Sequence, residues 1–313
     1  MQRLDGNSPI PEAFRGGIVA LGNFDGVHAG HQAVIGRALE MARARGVPVL
    51  VATFDPHPVR HFQPDAAPFR LTTLDQRQRY LAEMGVDAMV VFSFGADLAN
   101  VTAADFVTHW LGGHLGVTGV VTGEDFTFGK GRGGNIGVLR ELGTALGMSC
   151  EAVGPVCDAE GPISSSRIRE ALQAGDCETA TRLLTRPFAV EGPVMHGDKN
   201  GRKLGFPTAN IDMGNYLRPH YGIYAVRGRL DDGRMVDGAA NIGIRPTFDP
   251  PKEILEPHFF DFKEDLYGKT LEIEFVHFLR PEKKFDSLDE LMEQIARDCE
   301  AARVILGTCP SGD

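Results

Sequence analysis

The sequence predicts an α/β fold in two parts, a parallel sheet covered by helices and then an antiparallel β-barrel that ends in a helix. Three observations carry that reading. Up to Arg186, short wholly apolar runs alternate with helical stretches, and strands with no polar side must be covered on both faces. From Phe188 the pattern turns to period-two alternation broken by turn residues, as antiparallel strands require. The last apolar periodicity, from Leu288 to Ala302, is helical again. A chain of 313 residues can build two cores, and we place the domains at 1–186 and 188–313.

In the first part Ile18-Val-Ala-Leu21 reads as a buried strand, followed by Gly22-Asn-Phe-Asp-Gly-Val-His-Ala-Gly-His31. Glycines spaced four apart let the backbone turn sharply and approach a ligand closely. The next helix carries Val34, Ile35, Ala38, Leu39 and Ala42 on one face and stops at Gly46. Its start offers free N–H groups and a positive dipole end, both suited to phosphate. His28 and His31 sit there as phosphate-binding groups, metal ligands or surface histidines. Phosphate has the most support, since zinc lacks a nearby cysteine or third histidine.

A second strand, Val47 to Phe54, runs into Asp55-Pro-His-Pro58, which must leave the sheet at the strand's carboxyl end, where open α/β sheets bind ligands. Helix Leu74 to Met84 precedes strand Ala88 to Phe92. A helix capped by Thr102 and Asp105 carries Phe106, Val107, Trp110 and Leu111 ahead of strand Val117 to Val121. The glycine-rich stretch Gly123 to Gly134 is expected to be a mobile loop, with two phenylalanines and Lys130/Arg132 suited to a flat anionic ligand. Helix Val138 to Leu146 and strand Met148 to Val153 complete the alternation. Ile163-Ser-Ser-Ser-Arg-Ile-Arg169 then opens a helix whose hydroxyls can cap it or bind phosphate.

The second part begins with a basic, glycine-rich stretch, Gly192 to Asn210, in which Thr208 and Asn210 offer oxygen ligands for a hard cation. Tyr221 to Leu230 and the residues from Met235 flank Asp231-Asp-Gly233 as a hairpin. Pro257 to Phe262 and Leu271 to Phe278 add strands. Ser287 and Glu290 open a helix that places Leu288, Leu291, Met292, Ile295, Cys299 and Ala302 on one side.

A net charge of -10 argues against a general nucleic-acid or membrane-surface binder. No apolar run approaches a membrane span, and Met1 to Gly6 lacks the apolar core of a signal peptide. The five cysteines show no CxxC pair and read as reduced structural thiols. The expectation is a cytoplasmic monomer or weak homo-oligomer that acts on small molecules, with no nucleic-acid or membrane partner.

Two motifs then connect the parts to known chemistry. His28-Ala-Gly-His31 after GNFDGV resembles the HxGH signature of the nucleotidyltransferase superfamily, and Ile163 to Arg169 resembles its ISSTxIR partner, with Ser166 where Thr is usual. Gly201-Arg-Lys-Leu-Gly-Phe-Pro-Thr-Ala-Asn210 resembles the GRxxGFPTAN signature of riboflavin kinases; Asn241 to Phe248, Leu255 to Phe262 and Leu279 to Phe285 are similar to later segments of that family. Nearly the whole chain thus resembles the bacterial bifunctional riboflavin kinase/FMN adenylyltransferases. That resemblance implies a Rossmann-like nucleotidyltransferase domain that turns FMN and ATP into FAD, followed by a kinase barrel that turns riboflavin and ATP into FMN.

In the adenylyltransferase the resemblance implies ATP binding by Gly22, Asn23, Phe24, Asp25, Ser164, Ser165 and Arg169, with His28 and His31 catalytic. It implies flavin contacts at Phe54, Pro56, Pro58, Asp125 and Phe126. In the kinase it implies ATP binding by Gly197, Gly201, Lys203, Gly205, Thr208 and Asn210, the last two also holding Mg²⁺. Arg280 and Phe285 would meet the flavin, with Glu256 as the base. The chain departs from the family pattern at Asp55, Asp125, Ser166 and Asn200, which places an extra anion, Asp125, near the FMN phosphate. The alternatives are an enzyme with one of the two activities, or a flavin-binding protein.

Overall fold

The structure, a computed structural model, describes residues 1–196, 205–245 and 252–307. Packing divides the chain into two units, Met1–Ala67 with Leu74–Ser164, and Pro68–Thr73 with Ser165–Asp313. This division lies upstream of the change in sequence periodicity at Phe188.

In the first unit six strands, β1 (Gln2–Asp5), β2 (Ile18–Leu21), β3 (Val49–Asp55), β4 (Ala88–Ser93), β5 (Gly119–Gly123) and β6 (Ser149–Val153), form one sheet in the order β1-β4-β3-β2-β5-β6. Every pair is parallel, as the apolar runs require. The crossovers carry α1 (Ala29–Arg45), α2 (Pro58–Phe62), α3 (Leu74–Glu83), α4 (Ala96–Ala99), α5 (Ala103–Asp105) and α6 (Ile136–Ala145). A small hairpin, β7 (Cys157–Asp158) with β8 (Gly161–Pro162), comes after β6. From β2 the chain moves to β3 on one side, while β5 lies on the other. The crevice beyond β2 and β5 is therefore the topological switch point, the usual ligand position in such sheets.

Each sheet face has its own core. Ile18, Ala20 and Val121 pack under Ile35 and Ala38 of α1, while Val19, Leu21 and Val120 face Leu111 and Leu139. Three details differ from the expected pattern. β1 was not foreseen, because a mostly exposed edge strand carries no apolar signal. Thr102 and Asp105 do form the capping pair, with Thr102 Oγ1 accepting from Asp105 N at 3.0 Å. The helix beyond them, however, is a π-helix over Phe106–Leu115, with Phe106, Val107, Leu111 and Leu115 buried. The glycine-rich loop is anchored rather than loose: Phe128 is buried, pairs with Gly134 through the backbone, and Lys130 N reaches Val101 O at 2.7 Å.

The second unit opens with α7 (Ser165–Gln173) and α8 (Cys177–Leu184), and α8 packs on the barrel. The strands β9 (Phe188–Met195), β10 (Asn210–Asp212), β11 (Gly222–Arg229), β12 (Met235–Arg245), β13 (Lys252–Phe259) and β14 (Thr270–Pro281) close antiparallel in the order β10-β13-β12-β11-β14-β9. Alternation sends Ile211, Tyr224, Val226, Ile242, Leu255 and Phe275, all fully buried, to the inside. β13 stops earlier than expected, because Asp261 takes a left-handed φ of 55° and turns the chain.

The last helix, α9 (Leu288–Leu306), is capped by Ser287 Oγ, which accepts from Glu290 N at 3.2 Å. Ala302 and Leu306 pack on Ala225, Ala239 and Phe260 of the barrel wall. The expected apolar face is only half used. Leu288 and Met292 are 56% and 37% exposed, since close approach occurs where small alanines meet, near the helix C-terminus. No helix among the described residues is long and apolar enough to cross a membrane.

Candidate active sites

At the switch point the chain leaves β2 through a strained turn. Phe24 and Val27 hold left-handed φ values of 49° and 44°, where side chains are disfavoured. A buried network holds this turn. Thr53 Oγ1 donates to Asn23 O at 2.8 Å, and Arg77 Nη1 donates to Thr53 Oγ1 at 2.8 Å. The Arg77 guanidinium stands 3.7 Å from the Asp25 carboxylate, and these side chains are 3% and 2% exposed. Sequence reading named Asp25 but missed Thr53 and Arg77. The signal was there for Arg77, which shares the apolar face of α3 with Leu74 and Leu81, a place where a charge needs a buried partner.

His28 is the N-cap of α1, its Nδ1 accepting from His31 N at 3.4 Å. That bond leaves Nε2 to carry the proton of the neutral ring. The two imidazoles stack at 3.6 Å, with the Phe24 ring edge-on to His31 at 5.3 Å. Gly30 makes the arrangement possible: a Cβ there would lie 3.1 Å from His28 Cε1 and 3.3 Å from Ile163 O. The same distances show that the Ile163–Ser164 segment begins beside the histidines. Among the described residues Asn23 Oδ1 is buried without a hydrogen-bond partner, as an acceptor kept for a ligand would be. Ser165 and Arg169 open α7 in the other unit; there Arg169 Nε donates to Phe69 O at 2.8 Å and its guanidinium lies over the Phe69 ring.

On the opposite sheet face, Phe54 is buried against Phe92 and Phe94, so its ring can floor a pocket but not clasp a ligand from two sides. Pro58 starts α2 behind His57, whose Nδ1 accepts from Val59 N. Half-buried Phe126 stacks on Phe128 at 5.9 Å. Beside Phe94 lie His61 and the 66% exposed Phe62, an aromatic surface that the sequence reading passed over.

The barrel brings its predicted residues together through register. Glu256 faces Asn241, Asn241 faces Ile223, and Ile223 faces Arg280. Ile211 pairs with Leu255, so the next rung sets Asn210 beside Glu256. One row across five strands therefore runs Asn210, Glu256, Asn241, Ile223, Arg280. It lies on the face opposite buried Ile211, Leu255 and Ile242, and that outer face also receives α9. Arg280 is gripped by Asp298 of α9, Nε to Oδ1 at 2.9 Å and Nη2 to Oδ2 at 2.6 Å, and its guanidinium lies 5.9 Å from the Phe285 ring centroid. Beside Asn210, a cavity of about 320 Å³ is lined by Pro207, Thr208, Ala209, Lys263, Asp265 and Tyr267, among others. Gly197, Gly201 and Lys203 lie outside the described residues.

Residues 10–167 match the FAD synthetase family model and residues 184–306 the riboflavin kinase model. The chain is 41% identical over 292 residues to the bifunctional riboflavin kinase/FMN adenylyltransferase of Escherichia coli (strain K12), covering 93% of each. It belongs to that bifunctional family. The Haemophilus influenzae member is 38% identical over 98% of this chain and 100% of its own length, and the Bacillus subtilis member 39% over 91% of each. A crystal structure described as a macrolide-efflux protein from Streptococcus pneumoniae shares the fold at a TM-score of 0.86 and 30% identity, over 97% of this chain and 99% of that one.

Within the riboflavin kinase/FMN adenylyltransferase frame, the residues that sequence reading missed are those that support others. Thr53 and Arg77 hold the turn that carries Asn23 and Asp25; Asp298 and Gln294 hold Arg280, with Gln294 Nε2 donating to Asp298 Oδ1 at 2.9 Å. Among the described residues no three His, Cys, Asp or Glu side chains gather as a metal site.

Proposed function

We propose that riboflavin is phosphorylated along the Asn210–Glu256–Arg280 row and that FMN is adenylylated at the His28–His31 turn. The reactions follow from the family: riboflavin and ATP give FMN and ADP, then FMN and ATP give FAD and pyrophosphate. The observation that supports the site reading is the shared row, in which the Glu256 carboxylate stands between the Asn210 amide and the Arg280 guanidinium.

In the kinase, Glu256 takes the proton of the ribityl 5′-hydroxyl as its oxygen attacks the γ-phosphorus and the bond to the β-phosphate oxygen breaks. The cavity beside Thr208 has room for the nucleoside end of ATP. Thr208 and Asn210 supply a hydroxyl and an amide oxygen, a donor set that fits Mg²⁺ only as part of a shell completed by phosphate and water. When bound there, the ion neutralises charge on the phosphates. Arg280, pre-set by Asp298, orients the flavin.

At the first site the FMN phosphate is already a nucleophile, so no base is needed. Its oxygen attacks the α-phosphorus of ATP and pyrophosphate leaves. The start of α1 and the stacked His28 and His31 bind the triphosphate and its developing charge, with Asn23, Asp25, Ser164, Ser165 and Arg169 as further ATP contacts. Phe54, Pro56, Pro58, Asp125 and Phe126 bound the flavin side.

The same reading assigns FMN adenylylation to residues 1–186 and riboflavin phosphorylation to 188–313, in a cytoplasmic monomer or weak homo-oligomer. The deciding experiment incubates purified protein with riboflavin, ATP and Mg²⁺ and follows flavins by chromatography. FMN should appear and then FAD. Omitting Mg²⁺ should stop both, and size-exclusion chromatography with light scattering reports the oligomeric state.

A further inference from the structure

We infer that Asn241 is a substrate-binding residue of the kinase half, its Oδ1 accepting a hydrogen bond from a ribityl hydroxyl next to the one that reacts. The inference rests on the assignment of the kinase site to the Glu256 row. Asn241 stands in that row between Glu256 and Ile223. Its Oδ1 is buried and has no hydrogen-bond partner among the described residues.

The amide's orientation is fixed by its other end. Asn241 Nδ2 donates to Glu282 Oε1 at 3.4 Å; turned round, Oδ1 would meet that carboxylate oxygen to oxygen. The acceptor therefore points away from Glu282, with no donor to it among the described residues. An unbonded buried amide oxygen destabilises the fold, and an aliphatic side chain of equal size would fill the position without that penalty. A group of this kind at a reaction site is explained by a donor that arrives with the ligand.

The neighbours select the donor. On one side is the Glu256 carboxylate and on the other apolar Ile223, so an arriving phosphate or carboxylate would meet like charge and bring no proton to donate. A neutral hydroxyl suits both neighbours. Residues directly opposite on an antiparallel pair, as Glu256 and Asn241 are, put side chains about 5 Å apart, within reach of nearby hydroxyls on a sugar-alcohol chain. With the terminal hydroxyl at Glu256, an inner one reaches Asn241. Exposed Glu282 lies over Gly243, where a Cβ would run into its carboxylate, so only a glycine lets that side chain reach the Asn241 amide.

The test is Asn241→Leu in the full chain, which keeps volume and removes the acceptor. Loss of one such bond should lower kcat/KM for riboflavin phosphorylation by about five- to thirty-fold. Lumiflavin, which has the same ring system without the ribityl chain, should inhibit the kinase with a Ki within two-fold of the unmodified protein's. Tm and FMN adenylylation should hold. Unchanged kcat/KM, or equal weakening of lumiflavin, overturns the inference. If Asn241→Leu fails to fold, Asn241→Ala is judged by the same measurements. Glu256→Gln run alongside separates the two readings: if it leaves the rate intact, the site assignment falls and Asn241 with it, whereas a slow Glu256→Gln with a normal Asn241→Leu refutes Asn241 alone.

Discussion

Arg77→Met tests whether the strained turn at the adenylyltransferase site is held from beneath. The Arg77 and Asp25 charges stand 3.7 Å apart and almost wholly out of water. At an effective dielectric near 20 that separation corresponds to about 4.5 kcal/mol of attraction. Methionine keeps most of the length and apolar contact of arginine but removes the charge and the 2.8 Å donor to Thr53 Oγ1. Removing one partner of a buried pair typically destabilises by about 3–5 kcal/mol, in line with the Coulomb figure. For a unit of this size that is a Tm fall of roughly 6–20 °C.

FMN adenylylation at 20 °C should also drop, because Phe24 and Val27 adopt their left-handed conformations only while Asn23 and Asp25 are anchored. Calorimetry and paired assays, FMN to FAD and riboflavin to FMN, measure both effects. Asp25→Asn combined with Arg77→Met should recover part of the lost stability by removing the charge that Arg77 offset. A Tm within about 2 °C of the unmodified protein's and unaltered adenylylation would refute the argument.

Three further outcomes are expected. His28→Ala with His31→Ala should abolish FAD formation while FMN still accumulates from riboflavin; equal loss of both activities in a folded protein counts against the site assignment. Glu256→Gln should slow riboflavin phosphorylation by about 10²–10⁴ with a much smaller change in riboflavin binding, and leave FMN adenylylation intact; a normal phosphorylation rate sends the search for the base elsewhere. Burial holds His258 below its ordinary value of 6.5, with Nδ1 bonded to Pro207 O at 2.8 Å. The unfolded chain therefore protonates first as pH falls, and this residue subtracts stability below about pH 6.5. His258→Gln should flatten the loss seen in urea titrations between pH 6.5 and 5, and an unchanged slope would contradict that assignment of the proton.

What could be read from the sequence depended on how local the determining contact is. The His28–Gly30–His31 turn was legible because cap, stack and glycine fall within four residues, and the parallel strands because each is apolar on both faces. The edge strand β1 was not, since half-solvated pairing on one side leaves no pattern. The face of α9 was misjudged because helical periodicity shows which residues could be buried, while the barrel wall decides how far along the helix contact extends.

The kinase row shows the same limit at a site. Period-two alternation tells which face Glu256, Asn241 and Arg280 occupy, yet a slip of two residues in any strand pair would keep every face and scatter the row. The register that joins Asn241 to Glu256, and through Ile223 to Arg280, comes from the closure of the whole barrel. Arg77 is the intermediate case. Its place on the apolar face of α3 marks it in the sequence as a buried charge, but the partner lies 52 positions earlier, beyond another strand, and only the fold identifies Asp25. A residue that holds a reacting group in place is thus harder to read than the group itself. Its own chemistry is ordinary, and the contact that gives it a role is made by distant chain.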